Sequence, residues 1–179
     1  MKKLILIVVL FISGNVFSQL GDYFISNNHS KAKGLNFKIK KPLDFKQSEA
    51  FSSNTVQKWE KMFDNFNDDV LISVLVYEVA GFSAYTNEEL KQLFKDKENQ
   101  KNMVSQLPNL ERYEYFEIDN YPGLITDSRN DIASSYVTSI SIFVDSYNFQ
   151  IQMGGSKKTR DDYKNLLYKM AASVVFTDY

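Results

Sequence analysis

The sequence predicts an α+β domain in which an antiparallel sheet is covered by helices. Three observations carry that prediction. From Leu110 to Gly155 four extended segments follow one another with tight turns between them, the signature of antiparallel strands. Two segments with helical caps and apolar spacing, around Leu90 and around Leu166, are placed to cover them. The clearest stretch is SYVTSISIFVDSYNFQIQMGG, Ser135 to Gly155, which reads as a hairpin turning at Asp145-Ser146. In its second strand Tyr147, Phe149, Ile151 and Met153 share one face, while Asn148, Gln150 and Gln152 share the other. That period of two marks a half-buried strand. The first strand carries Ile140, Ile142 and Val144 on one face with Val137 and Phe143 on the other, and is expected deeper in the sheet.

The chain opens on a leader. Lys2 and Lys3 precede an apolar run from Leu4 to Ile12, Ser13-Gly14 weakens the helix, and Val16 and Ser18 are small enough for a cleavage motif. This is the layout of a secretory signal peptide over residues 1–18, with the cut predicted at Ser18-Gln19. The run is about half the ~20 residues that span a bilayer, so no stable membrane insertion is expected after cleavage. No cysteine stands near the cut, which argues against a lipid-anchored lipoprotein. The expected location is the periplasm or the cell exterior.

Residues 19–33 read as a polar linker containing His29, the only histidine, and residues 34–179 as the domain. Leu35, Phe37 and Ile39 alternate with Asn36, Lys38 and Lys40 in a first strand that Pro42 ends. Lys38, Lys40, Lys41 and Lys46 read as a solvated face. Ser48 to Asn54 is a loop, and residues 55–62 form a strand with Trp59 in the core. Asp64 to Asp69 turns the chain into Val70–Val79, which is apolar on both faces and is therefore expected to be covered on both. Thr86-Asn87-Glu88-Glu89 is a capping box. Its helix carries Leu90, Leu93 and Phe94, then Met103, Val104 and Leu107, but Lys95 to Asn102 has no apolar residue, so a break is expected there. Pro108 stops it. Leu110 to Ile118 is a strand with Tyr113 and Tyr115 opposite Phe116 and Ile118, and Asp119 to Gly123 reads as a turn. Leu124 to Asp131 leads into the hairpin. Thr159 is expected to cap a last helix whose Tyr163, Leu166, Leu167, Met170, Ala171 and Val174 recur at helical spacing, before a short extended tail to Phe176.

Several of these residues together resemble the PsbP-like fold group. They are Gly34-Leu35-Asn36-Phe37 leading to Pro42, the long strand 70–79, the stretch Ile118-Asp119-Asn120-Tyr121-Pro122-Gly123, and the final strand, helix and Phe176 tail. The likeness covers about residues 34–177. That group includes the extrinsic oxygen-evolving protein of photosystem II, a eukaryotic Ran-binding protein and many secreted bacterial proteins. One departure is that Leu43-Asp44-Phe45 follows the early proline where such proteins often carry a tryptophan or other aromatic; Phe45 can fill that role. The resemblance implies a PsbP-like α/β/α sandwich and a binding or assembly role, and it transfers no active site.

Composition narrows the function classes. Of 179 residues 44% are hydrophobic and 24% charged, as in ordinary globular proteins. Loss of Lys2 and Lys3 with the leader takes the formal net charge from −1 to −3, which disfavours nucleic acid and anionic membranes as partners. Zero cysteines leaves the fold to its core. A mature chain of roughly 160 residues buries about 70% of its unfolded surface, which is enough. With one histidine, in the linker, neither a Ser-His-Asp triad nor a zinc site is expected. In the turn 64–69 Phe66 and Asp69 fall where an EF-hand needs a ligand and a glycine, so calcium is not expected. No catalytic residue, metal or cofactor is assigned.

Two surfaces remain as candidates. Gly155, Ser156 and Lys157 precede a helix start, where free amides and the helix dipole attract anions. Arg112, Tyr113, Tyr121, Arg129, Tyr136 and Tyr147 lie in the four-strand half, and tyrosine and arginine are enriched where proteins bind partners. The leading expectation is a secreted non-catalytic module that binds another, unidentified protein. The runner-up is a small-ligand carrier with its pocket between the sheet and the helix from Thr86 to Leu107. An enzyme using Asp127 and Asp131 as acid and base comes third.

Overall fold

The computed structural model describes residues 20–131 and 135–177. The leader and its cut therefore lie outside the described residues. In chain order the elements are β1 (Leu20–Ile25), β2 (Phe37–Pro42), β3 (Lys46–Gln47), β4 (Thr55–Lys61) and β5 (Val70–Glu78). Helices α1 (Asn87–Lys95) and α2 (Lys97–Val104) follow, then β6 (Leu110–Ile118), β7 (Tyr121–Asn130), β8 (Ser135–Val144), β9 (Tyr147–Gly155), α3 (Lys157–Ala172) and β10 (Val175–Phe176). A seven-stranded sheet has the order β3-β4-β5-β9-β8-β7-β6, and a three-stranded sheet the order β1-β2-β10. Every pairing in both is antiparallel.

The predicted hairpin is β8–β9, at the centre of the large sheet. Its front face carries Ile140, Ile142, Phe149, Ile151 and Met153, all buried, beneath Leu166, Leu167 and Met170 of α3. The small sheet adds Phe37 and Ile39 to the same core. Phe37 stacks edge-on against Phe149 with ring centroids 4.7 Å apart. The back face holds a second core, in which Leu90, Phe94 and Val104 of α1 and α2 pack on Leu124 and Phe143. Helices thus cover both faces, and the architecture is the expected α+β sandwich. No helix among the described residues is long and apolar enough to cross a membrane.

The helix break falls where apolar residues run out. Asp96 ends α1 and caps α2, its side chain accepting from the Asn99 amide at 2.9 Å. The Thr86–Glu89 capping box is formed.

Four expectations need correction. The stretch read as a linker is folded: β1 pairs with β2, Phe24 packs edge-on against Trp59, and Ser26 is buried. Its irregular look comes from a register shift between Leu20 and Tyr23, which breaks the alternation. His29 is half-buried, and its Nδ1 accepts from the Lys31 amide to cap a short turn. The turn after β6 needs only Asp119 and Asn120, both at positive φ, and Tyr121-Pro122-Gly123 already belong to β7. Ser156, not Thr159, caps α3, accepting from the Thr159 amide at 3.2 Å. Finally, the back face of β5 is only partly covered, because α1 and α2 lie over β7 and β6 and leave Leu71 exposed.

Candidate functional site

Where β6, β7 and β8 pass under the first half of α3, charged and aromatic side chains collect on the front face. At the centre is Asp127 of β7, whose side chain is only 5% exposed. Lys164 donates to its Oδ2 at 2.6 Å, Thr138 donates to Oδ1 at 2.7 Å, and Arg112 Nη1 lies 3.6 Å from Oδ2. A buried carboxylate survives only with such partners. Burial pushes its carboxyl up, but Lys164, Thr138 and Arg160 together outweigh burial and hold it below its ordinary value. Asp127 is therefore ionised at neutral pH and poorly placed to carry protons, since an acid–base group works best near the operating pH. Asp131 faces other partners, Arg129 and Asn109. The two carboxylates form no catalytic pair.

Around this pinned centre lie arginine and tyrosine side chains from β6, β7, β8 and α3. Arg160, itself buried, donates to Glu111 at 2.8 Å and sits over the Tyr136 ring, 4.7 Å from its centroid. Arg129 approaches the same ring at 5.9 Å. The Tyr136 ring thus has two guanidinium neighbours, a cation–π arrangement that fixes it at its station on β8. Arg112 bonds Glu114 and Tyr168, and the Tyr168 bond first, then Glu114, holds its guanidinium above the ordinary value. Beyond Tyr168 an apolar groove of about 320 Å³ opens between the sheet and the second half of α3. Its walls include Phe116, Ile118, Ile125, Ile140, Tyr168 and Ala171.

Of the six residues singled out as partner-binding, the fold brings Arg112, Arg129 and Tyr136 together. The other three lie elsewhere. Tyr113 is on the back face against the second core, Tyr121 packs edge-on to Phe176 at 5.3 Å, and the Tyr147 hydroxyl donates to the Lys33 carbonyl at 2.8 Å. Sequence reasoning missed Thr138, Arg160, Lys164 and Tyr168. The last three recur every fourth residue, so one stripe of α3 presents them together.

The two other candidate sites fare differently from this one. At the start of α3, Gly155 lies against Thr159 and the Asp69 carbonyl, and the Ser156 hydroxyl takes the Thr159 amide. Asp68 lies 3.4 Å from Ser156, so an anion reaching Lys157 would meet a carboxylate. The pocket imagined between the sheet and the Thr86–Leu107 segment is filled by Leu90, Phe94 and Val104. A carrier site there is overturned.

The sequence matches no protein-family model and no curated protein. The fold does find counterparts among solved structures. Cyanobacterial PsbP (CyanoP) from Synechocystis sp. PCC 6803 superposes with a TM-score of 0.55 at 12% identity, over 90% of this chain and 94% of that one. The fold is PsbP-like. LpqN of Mycobacterium tuberculosis, described as involved in cell envelope biogenesis, superposes at 0.59 with 9% identity, over 88% and 91%. At such identities the likeness is one of fold, so the site of this PsbP-like domain has to be argued from its own side chains.

Proposed function

We propose that this chain is an extracytoplasmic, non-catalytic accessory domain that binds another protein through the front-face cluster around Tyr136. The observation that carries the reading is the Tyr136 ring with Arg129 and Arg160 against it, above the buried Asp127–Lys164 pair. Tyrosine and arginine anchors are the side chains that dominate partner binding. Fixing them beforehand lowers the ordering cost of association. The adjoining groove beside Tyr168 gives the same surface an apolar region. Placement outside the cytoplasm is supported by the leader in the sequence and by the envelope role stated for LpqN.

The test is a paired capture from the envelope fraction of the source cells at near-physiological salt. One bait is the unaltered chain, and the other carries Arg129→Glu and Tyr136→Ala. The expected result is one stoichiometric protein held by the first bait and lost from the second. Recovery of the same proteins by both, or of none by either, would overturn the reading. Fractionation with N-terminal sequencing checks the location, with a mature chain beginning at Gln19 expected and a cytoplasmic uncut chain contradicting it.

A further inference from the structure

The seven-stranded sheet ends on one side in β3, only two residues long, and on the other in β6, nine residues long. An edge strand presents a row of unpaired backbone donors and acceptors, and proteins usually shorten, bulge or interrupt such edges. The small sheet follows that rule, with a register shift in β1 and only two residues in β10. β6 does not. From Arg112 to Ile118 its pairing with β7 is regular, and it contains no proline.

We propose that this edge pairs antiparallel with β6 of a second copy of the chain, with Tyr113 at the twofold axis. The proposal needs no other protein and so stands apart from the partner-binding reading. Charge selects both the occupant and the register. In a twofold antiparallel pair directly opposite residues share a face, so even-numbered residues meet even-numbered ones and odd meet odd. Arg112 is the one cation in β6, and Glu114 is the one acid on its face. Centring on Tyr113 sets Arg112 opposite the partner's Glu114, twice over by symmetry. Centring on Arg112 or on Glu114 instead sets like charges face to face, which is destabilising. Centring on Tyr115 leaves Arg112 opposite Ile118. Both charged side chains are about half exposed, 46% and 52%; Arg112 also reaches Asp127 and Tyr168 on its inner side, so its bond to Glu114 is the one it would share across the seam. Other partners for the same edge, such as an extended segment of a different protein, gain no such self-match.

Because the chain has no cysteine, a single thiol can report the register. Opposed residues in an antiparallel pair have Cα atoms about 4.5–5.5 Å apart, within disulfide range. Residues at position 115 in the two chains would stand four positions apart along the strands, about 13 Å, which is too far. Under mild oxidation Tyr113→Cys is expected to form a covalent dimer and Tyr115→Cys to remain monomeric. Circular dichroism confirms that each variant is folded. By sedimentation equilibrium the unaltered chain should associate reversibly. Glu114→Arg should weaken that association about tenfold, by placing like charges across both symmetric pairs. Adding Arg112→Glu to it should restore association by exchanging the charges. A chain that stays monomeric from micromolar to millimolar concentration would overturn the proposal. So would cross-linking through position 115 in place of 113, or a Glu114→Arg variant that associates as well as the parent.

Discussion

Lys164 of α3 donates to Asp127 of β7 across 2.6 Å, and this one bond ties the cover helix to the strand beneath it in a nearly dry setting. Asp127 is buried, and Lys164 is only 20% exposed. Removing one partner of such a pair strands a charge, and the loss exceeds what the pair itself contributes. Lys164→Met keeps most of the apolar stem and removes the charge. Arg112 remains at 3.6 Å as partial compensation. The expected loss of unfolding free energy is about 3 kcal/mol, the low end for a broken buried pair. Adding Asp127→Asn removes the stranded charge and should recover part of the loss. Urea denaturation of the four proteins in this cycle checks it, and strictly additive effects would contradict the coupling.

The same carboxylate sets a pH dependence. Its folded value lies below the unfolded one, so the stability it contributes is present above the unfolded value of about 3.9 and is lost as pH falls through the folded value. Stability is therefore expected to hold between about pH 7 and 5 and to fall below about pH 4. Exposed Glu88, Glu89 and Glu117 are lowered too, by Lys91, by the Thr86 amide and by Tyr115 respectively, and titrate in the same window. Asp127→Asn isolates one contribution. Its acid limb should be shallower than the parent's when urea midpoints are measured across that range, and an unchanged limb would count against the burial argument.

How much of this was legible in the chain follows from which signals are local. The β8–β9 hairpin could be read because Phe149, Ile151 and Met153 alternate without interruption over a strand with one polar face. The α1–α2 break could be read because residues 95–102 include no apolar side chain. β1 could not, because its backbone bonds come from β2, more than ten residues on, and its register shift hides the period. Pro122 and Gly123 looked like turn residues, yet Gly123 serves a packing need inside β7. Within the site, Arg112, Arg129 and Tyr136 were visible as residue types, but no count of tyrosines separates them from Tyr121 and Tyr147. That distinction required knowing which strand face α3 crosses. The spacing of Arg160, Lys164 and Tyr168 was the available clue.

Two glycines in adjacent regions of the sheet make opposite predictions. A Cβ on Gly123 would stand 2.3 Å from Phe116 Cζ and 2.7 Å from the Ser141 carbonyl oxygen, and the latter belongs to backbone in the next strand. Gly123→Ala must push apart β6, β7 or β8, an overpacking cost of about 1–3 kcal/mol. A Cβ on Gly154 meets nothing within 4 Å. Gly154→Ala should stabilise by up to about 1 kcal/mol, because it only restricts the unfolded chain. Thermal midpoints measured side by side check both signs.

The last prediction concerns the stretch whose order the sequence concealed. Phe24 stands between Phe37 and Trp59, each ring centroid 6.2 Å away, and Ser26 bridges the backbone by donating to the Leu35 carbonyl and accepting from the Phe37 amide. Trp59 is 2% exposed only while Phe24 and its strand lie over it. A chain beginning at Gly34 would therefore lose strand β1, expose an edge of β2 and open one side of the indole. Its thermal midpoint should fall by several degrees relative to a chain beginning at Leu20, since about 1 kcal/mol moves the midpoint of a domain this size by ~2–4 °C. Trp59 is the only tryptophan, so its fluorescence reports the site alone and should shift to the red. An unchanged midpoint with an unshifted spectrum would return residues 20–33 to the status of a tether.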